Sequence, residues 1–296
     1  MLIIQSNGRL GNQLFQLAFA LTERGEREWL VLYDFNEALS ACAVSSRSIL
    51  RIPRTSKWMH RLFNRVLLPM GRLLGRSRVF GRIEPDYHLE ADRRVDTGGI
   101  RKQGGILPVT FVDLGYYQNA ERSAAAVKQL HINGASIEQA RVWLSAVVEP
   151  RLVPVFVHIR RGDYLEYKIF HNQAAVLPNE YYRAAMARIT RTIPNAFFCI
   201  LSDDVAYARD FAVNCPRSCV SENSQEIDLA IMSLCHTGVL SASSFAWWGS
   251  MFSHPREQLP IAPHYWLGWA AERWYPKGLE SSSLDWLNFN LIDDAS

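Results

Sequence analysis

Apolar positions along the chain fall into two rhythms, and the second half alternates between them cleanly. Val155, Phe156, Val157 and Ile159 form a β-branched run with no charge inside it, the pattern of a strand buried on both faces. A helix of about 180–192, opened by Asn179 and Glu180, comes next, then a strand at 196–201 and a helix near 205–213. A helix at 225–235 and a strand at 238–240 complete the series. This alternation predicts a parallel sheet. The first half opens alike: a strand at 2–4, a glycine-punctuated loop at 7–13, and a helix from Leu14 to Glu23 with Leu14, Leu17, Ala18 and Leu21 on one face. A strand at 29–33 follows. Residues 110–117 read as a strand with an aromatic turn and 119–147 as mostly helical. Residues 92–109, with Gly98-Gly99 and Gly104-Gly105, read as loops. Pro150 to Pro154 stops the helical pattern, so the expected domains are 1–150 and 151–296.

One stretch departs from both rhythms. From Ala38 to Ile83 there is no acidic residue, while Arg47, Arg51, Arg54, Lys57, Arg61, Arg65, Arg72, Arg76, Arg78 and Arg82 fall inside it. Trp58, Met59, Leu62, Phe63, Val66, Leu67 and Met70 recur at helical spacing, with Lys57, Arg61 and Arg65 on a neighbouring stripe. Such a segment reads either as a membrane-surface or anionic-partner helix over 47–82, or as an ordinary helix with solvated arginines. Pro69 and Gly71 should break or kink it.

Composition narrows the class. A chain of 296 residues with 48% hydrophobic content buries a large core, and a net charge of +3 does not mark a nucleic-acid binder. Five scattered cysteines fit reduced thiols, and Cys215, Cys219, Cys235 and His236 match no usual zinc spacing. With no basic, apolar leader and no apolar run of membrane-spanning length, the expectation is a cytoplasmic protein, at most peripheral on the inner face of the membrane.

The chemistry gathers at strand ends. The apolar run ends in His158-Ile-Arg160-Arg161-Gly162-Asp163, the next strand in Ser202-Asp203-Asp204, and the last in Ser241-Ala-Ser243-Ser244. In open α/β sheets the carboxyl ends of strands line the ligand crevice, so three polar ends of this kind describe a nucleotide site. Arginine forks suit phosphate, and serine hydroxyls assist them. For the Arg–Asp residues alone, an ion pair closing a strand–loop corner is an equally good reading. Gly8-x-x-Gly11 lacks the full dinucleotide fingerprint, which weakens a nicotinamide oxidoreductase.

His158-Ile-Arg-Arg-Gly-Asp163 resembles the HxRxGD motif of fucosyltransferases that use GDP-fucose. Gly8-Arg-Leu-Gly-Asn-Gln-Leu-Phe-Gln16, Leu201-Ser-Asp-Asp204, the Asp228–His236 block and Ser243-Ser-Phe-Ala-Trp-Trp-Gly249 are similar to the remaining motifs of glycosyltransferase family 11, in the family's order. Arg9 departs from the glycine common there, and the basic insert at about 38–105 carries no motif. The resemblance implies a GT-B-like α/β fold, two Rossmann-like domains with parallel sheets facing a cleft. It implies inverting α-1,2-transfer of fucose from GDP-fucose to a galactose-terminated glycan, with no metal and no cofactor beyond the donor. It places the acceptor on the N-terminal domain and GDP-fucose on the C-terminal one. His158 should touch the nucleotide, Arg160 with Arg161 the diphosphate, and Asp163 should hold the motif loop. Asp203 or Asp204 should address guanine or ribose, and Ser243, Ser244 and Phe245 the phosphate side. Asn12 should lie near the reacting centre from the opposite domain, and Gly11 counts among the donor-binding residues. No Asp-x-Asp occurs in the chain, so Arg160 is the candidate for neutralising the departing diphosphate.

No general base is named by the sequence: Asp163 lies beside arginines that lower its proton affinity, and Glu166 and the carboxylates of 84–96 are alternatives. A lipid-linked acceptor at an anionic leaflet would suit the basic insert. The aromatic segment from His264 to Tyr275 reads as packing of the C-terminal tail, or else as an acceptor subsite.

Overall fold

The computed structural model describes residues 1–46, 48–53, 57–90, 93–252 and 257–289, so Arg47, Arg54 and Asp92 lie outside the described residues. Two compact units emerge: Met1–His131 with Pro276–Leu279, and Ile132–Tyr275 with the chain from Glu280 onward.

The first unit runs β1 (Leu2–Gln5), α1 (Leu10–Glu23), β2 (Leu30–Tyr33), α2 (Asn36–Ala41), β3 (Cys42–Val44), β4 (Ile49–Ile52), α3 (Lys57–Leu62), α4 (Leu68–Arg76), β5 (Gly81–Glu90), β6 (Arg93–Gln103), β7 (Thr110–Val112), α5 (Ala120–Ala126) and β8 (Leu130–Ile132). Its main sheet has the order β4-β2-β1-β7-β5-β6, parallel except for the β5–β6 hairpin, and β3 pairs with β8. Three sequence expectations change here. Helix α1 begins at Leu10 rather than Leu14. A carboxylate oxygen of Glu37 accepts the Leu10 N–H at 2.9 Å, satisfying a first-turn donor and complementing the helix dipole. Residues 93–103 form a strand rather than a loop. An antiparallel edge strand needs only one buried face, and its outer face is charged: Arg101 reaches Glu84 and Asp86 at 3.5 and 3.4 Å, and Lys102 pairs with Glu23. Pro69 does not stop its helix. Instead Phe63–Leu67 open into a π-turn just before it, where a proline's missing N–H costs least.

The second unit runs α6 (Gly134–Val147), β9 (Val153–Ile159), α7 (Asn179–Thr192), β10 (Ala196–Ser202), α8 (Val205–Ala212), β11 (Ser218–Val220), α9 (Gln225–Leu234), β12 (Thr237–Val239), α10 (Ser244–Met251), β13 (Ile261–Pro263) and β14 (Asp285–Leu287). The sheet is wholly parallel with the order β11-β10-β9-β12-β13-β14. Counted from β9 this is 3-2-1-4-5-6, the doubly wound order whose switch point lies between the first and fourth strands. The charge-free run explains itself here. Val155, Val157 and Ile159 pack against Tyr181, Tyr182, Ala185 and Ile189 of α7, while Phe156 and His158 point to the other face. Val155, Val157, Ile159 and Phe156 each contribute roughly 1.5–3 kcal/mol by leaving water.

The units part at 131/132, not at Pro150–Pro154, because α6 packs on α9 and so belongs with the second unit. Asn179 does not cap α7 from outside. It is the first helical residue, and its Oδ1 accepts the Tyr207 hydroxyl. Only Pro276–Leu279 of the final segment rejoins the first unit, beside β6; β14 stays with the second. The aromatic segment packs on the tail, Trp274 against Trp286 at 4.8 Å between centroids and Trp269 against Phe289 at 5.3 Å.

Candidate active site

Strands β10, β9 and β12 are adjacent, so the three polar strand ends meet at the carboxyl edge of the second unit's sheet. The chain leaves β9 through Arg160 and Arg161 into a short 3-10 turn at Gly162–Leu165. The Arg160 guanidinium lies between two carboxylates, Asp163 at 2.5 Å and Asp203 at 2.9 Å. Asp203 also accepts the Arg161 backbone N–H at 2.9 Å. A Cβ on Gly162 would lie 2.4 Å from an Asp203 oxygen, so glycine at this position of the motif is what lets the carboxylate approach. Arg161 turns elsewhere, to Asp204 at 3.4 Å, with its guanidinium carbon 3.6 Å from the centre of the Tyr207 ring. Asp204 in turn caps α8 by accepting the Tyr207 N–H at 3.0 Å.

The two arginines therefore do not share one anion. Each is held by its own carboxylates, which offset the repulsion between neighbouring guanidiniums. The two arginines face three carboxylates, Asp163 being the most solvent-exposed with a side chain 67% accessible.

His158 sits under this layer, buried, with Nδ1 2.7 Å from the Ser241 hydroxyl and its ring 5.4 Å from that of Phe245. Burial, assisted by the Arg160 charge, pushes its pKa down to about 3, so the imidazole is neutral. Ser243 is the N-cap of α10 and accepts the Phe245 N–H at 3.3 Å; Ser244 is the first residue of the helix. The Tyr164 hydroxyl donates to the Ala242 carbonyl at 3.1 Å, tying the turn after β9 to the loop after β12. A pocket of about 320 Å³ opens beside Arg161, lined by Gln173, Leu177, Asn179, Tyr207 and Trp269 among others.

Gly11 and Asn12 belong to the first unit, in the opening turn of α1. Gln118 donates to the Asn12 side-chain oxygen at 3.1 Å, and Gln13 and Gln16 brace the preceding loop by bonds to the Gly8 and Asn7 carbonyls. His158, Arg160, Arg161, Asp163, Asp203, Asp204, Ser243, Ser244 and Phe245 thus share one strand edge of the second unit, and the other two named residues share one helix of the first. Tyr164, Tyr207 and Ser241 complete the cluster around the second-unit residues.

The model of glycosyl transferase family 11 matches residues 106–271, more than half of the chain and all of this strand edge. The chain belongs to glycosyl transferase family 11. Within the family's reach, it is similar to the O-antigen biosynthesis glycosyltransferase WbnK of Escherichia coli, 31% identical over 114 residues that cover 37% of this chain and 38% of that protein. It is also similar to an alpha-1,2-colitosyltransferase of Escherichia coli, 28% identical over 117 residues, 38% of this chain and 40% of that protein. These matches span well under half the length of either relative. The fold as a whole resembles that of POFUT1, solved in complex with GDP, with a TM-score of 0.52 and 14% identity over 88% of this chain and 97% of that one. The two α/β units with parallel sheets are those of a GT-B-like family 11 member.

Proposed function

We propose that this chain transfers L-fucose from GDP-fucose to the 2-hydroxyl of a terminal galactose, with inversion and without a metal ion, in the synthesis of a surface polysaccharide. The observation that carries this reading is Arg160, a guanidinium held between Asp163 and Asp203 at a doubly wound switch point. As the sugar–oxygen bond breaks, charge builds on the β-phosphate, and a preorganised cation aimed there stabilises the transition state more than the ground state. The diphosphate takes the place of Asp163, whose exposed bond to Arg160 costs about 0–1 kcal/mol to give up. Asp203 stays and keeps the fork aligned. Neutral His158 offers the nucleotide a hydrogen bond without a charge, Asp204 addresses the base or ribose, and Ser243, Ser244 and Phe245 close the phosphate side. Asn12 of the first unit serves the reacting centre and Gly11 the donor, and the acceptor glycan is lipid-linked in its natural setting.

Arg161, by its bonds to Asp204 and Tyr207, reads better as a brace than as a phosphate ligand. Candidates for the base that takes the acceptor proton are Asp163 and Glu166, both exposed, and the carboxylates of 84–96. Likeness to a colitosyltransferase favours one second reading, a related deoxysugar as donor.

The deciding experiment follows GDP release when GDP-fucose meets a galactose-terminated acceptor, with and without chelator. Release that survives chelation supports the reading. GDP-fucose binding without release would leave a non-catalytic sugar-nucleotide or glycan binder, and faster turnover with the colitose donor would move the donor assignment.

A further inference from the structure

The helical segment from Lys57 to Arg76 presents three faces, where a helix on a globular surface needs two. Its inner face is anchored to the first unit. Phe63 stacks on Tyr33 with 3.8 Å between centroids, Gln5 donates to Asn64 at 2.9 Å, and a Cβ on Gly71 would meet the Phe111 ring at 2.6 Å. On a second face Trp58, Val66, Leu67, Met70 and Leu73 are exposed, Trp58 by 67% and Leu73 by 66%. On a third, Lys57, Arg61, Arg65 and Arg76 are exposed, and none has a carboxylate partner among the described residues.

Trp58, Val66, Met70 and Leu73 follow one another at steps of eight, four and three residues, and Lys57, Arg61, Arg65 and Arg76 at steps of four, four and eleven. A helix with a core-facing seam does not gain from a second apolar stripe in water. A stripe that meets acyl chains next to one that meets anionic headgroups is the arrangement of a helix lying in a membrane interface, where tryptophan is favoured. The twenty residues from Lys57 to Arg76, with the π-turn in their middle, carry both sets of side chains over a span on the order of 30 Å. We infer that this face docks the protein on an anionic lipid bilayer, with Trp58, Val66, Met70 and Leu73 entering the headgroup–acyl boundary and Lys57, Arg61, Arg65 and Arg76 meeting the headgroups. The docking lies in the first unit and does not depend on the donor chemistry of the second.

Sedimentation of the full chain with phosphatidylcholine vesicles, with and without phosphatidylglycerol, tests it. The chain should partition onto the anionic vesicles and be released by high salt. Each cation near such a surface contributes about a fivefold change in partitioning, so Lys57→Gln, Arg61→Gln and Arg65→Gln together should weaken it on the order of 100-fold. Trp58→Ser, Met70→Ser and Leu73→Ser together should also weaken it, without lowering the melting temperature, because these side chains are already in water. Equal partitioning onto neutral and anionic vesicles overturns the inference, as does wild-type partitioning by both triple variants. So does a vesicle-free dimer that the apolar variant abolishes, which would make a second copy the occupant.

Discussion

In the proposed reaction the chemistry turns on Arg160, and its environment sets the size of the expected effects. Arg160→Ala should lower kcat by on the order of 10²–10³, and Arg160→Lys should not restore it, because an ammonium cannot bond Asp203 and a phosphate as a fork does. Steady-state rates with GDP-fucose check both. His158 makes a prediction of opposite kind. With its proton affinity depressed by burial, its ring resonances should not titrate between about pH 5 and 8, and the rate profile should carry no inflection from it there. An imidazole titrating near its ordinary value would remove the neutral hydrogen-bonding role. Arg160, Asp163 and Asp203 stand out in the sequence because a buried strand ends in charge, and the ion pairs they form are also those of the plain reading, a salt-bridged strand–loop corner. Tyr207 was not selected, and Ser241 was read only as part of a polar strand end, since a tyrosine early in one helix and a serine after a strand become partners of Arg161 and His158 only through the strand order.

At the level of elements, the same logic explains what was readable and what was not. β9 and β10, buried on both faces, announce themselves by charge-free, mainly apolar runs, interrupted in β9 only by His158. β6 does not, since its charges belong to an edge and its Gly98-Gly99 pair mimics a loop. The three-residue β11, β13 and β14 are too short to carry a period and are strands by virtue of their neighbours. The weakest tolerance in the second sheet should be at Gly238 on β12, which pairs with Phe156 of β9 at the switch point. A Cβ there would lie 2.3 Å from the Phe156 ring. Gly238→Ala should therefore cost roughly 1–3 kcal/mol in denaturant unfolding. Adding Phe156→Leu should recover part of that loss, and strict additivity of the two would count against the clash.

Across the whole molecule, stability should respond to pH through buried acids that the chemistry does not use. Burial lifts Asp228 to about 7 against a bond from Ser221, and lifts Asp96 to about 6. A raised folded pKa means that the contribution is fully present below the unfolded value near 3.8 and is lost as pH rises through the folded one. His158 acts in the opposite sense, its contribution being present above about 6.5 and lost on acidification. The net curve is thus a poor witness, and a difference between variants is a good one. Asp228→Asn should melt with the wild type near pH 4 and above it near pH 8, and a constant offset would refute the assignment. The return of Pro276–Leu279 to the first unit has a consequence for how the protein is made. Gly278 fills a site against Gly98 and the Gln118 carbonyl that only a residue without a side chain fits. Since a ribosome delivers the chain from its amino end, the first unit emerges with that seat vacant and waits on the order of ten seconds for the plug to arrive. Until then the strand around Gly98 lacks its last neighbour, and the unit that begins first is completed only after most of the second has been made.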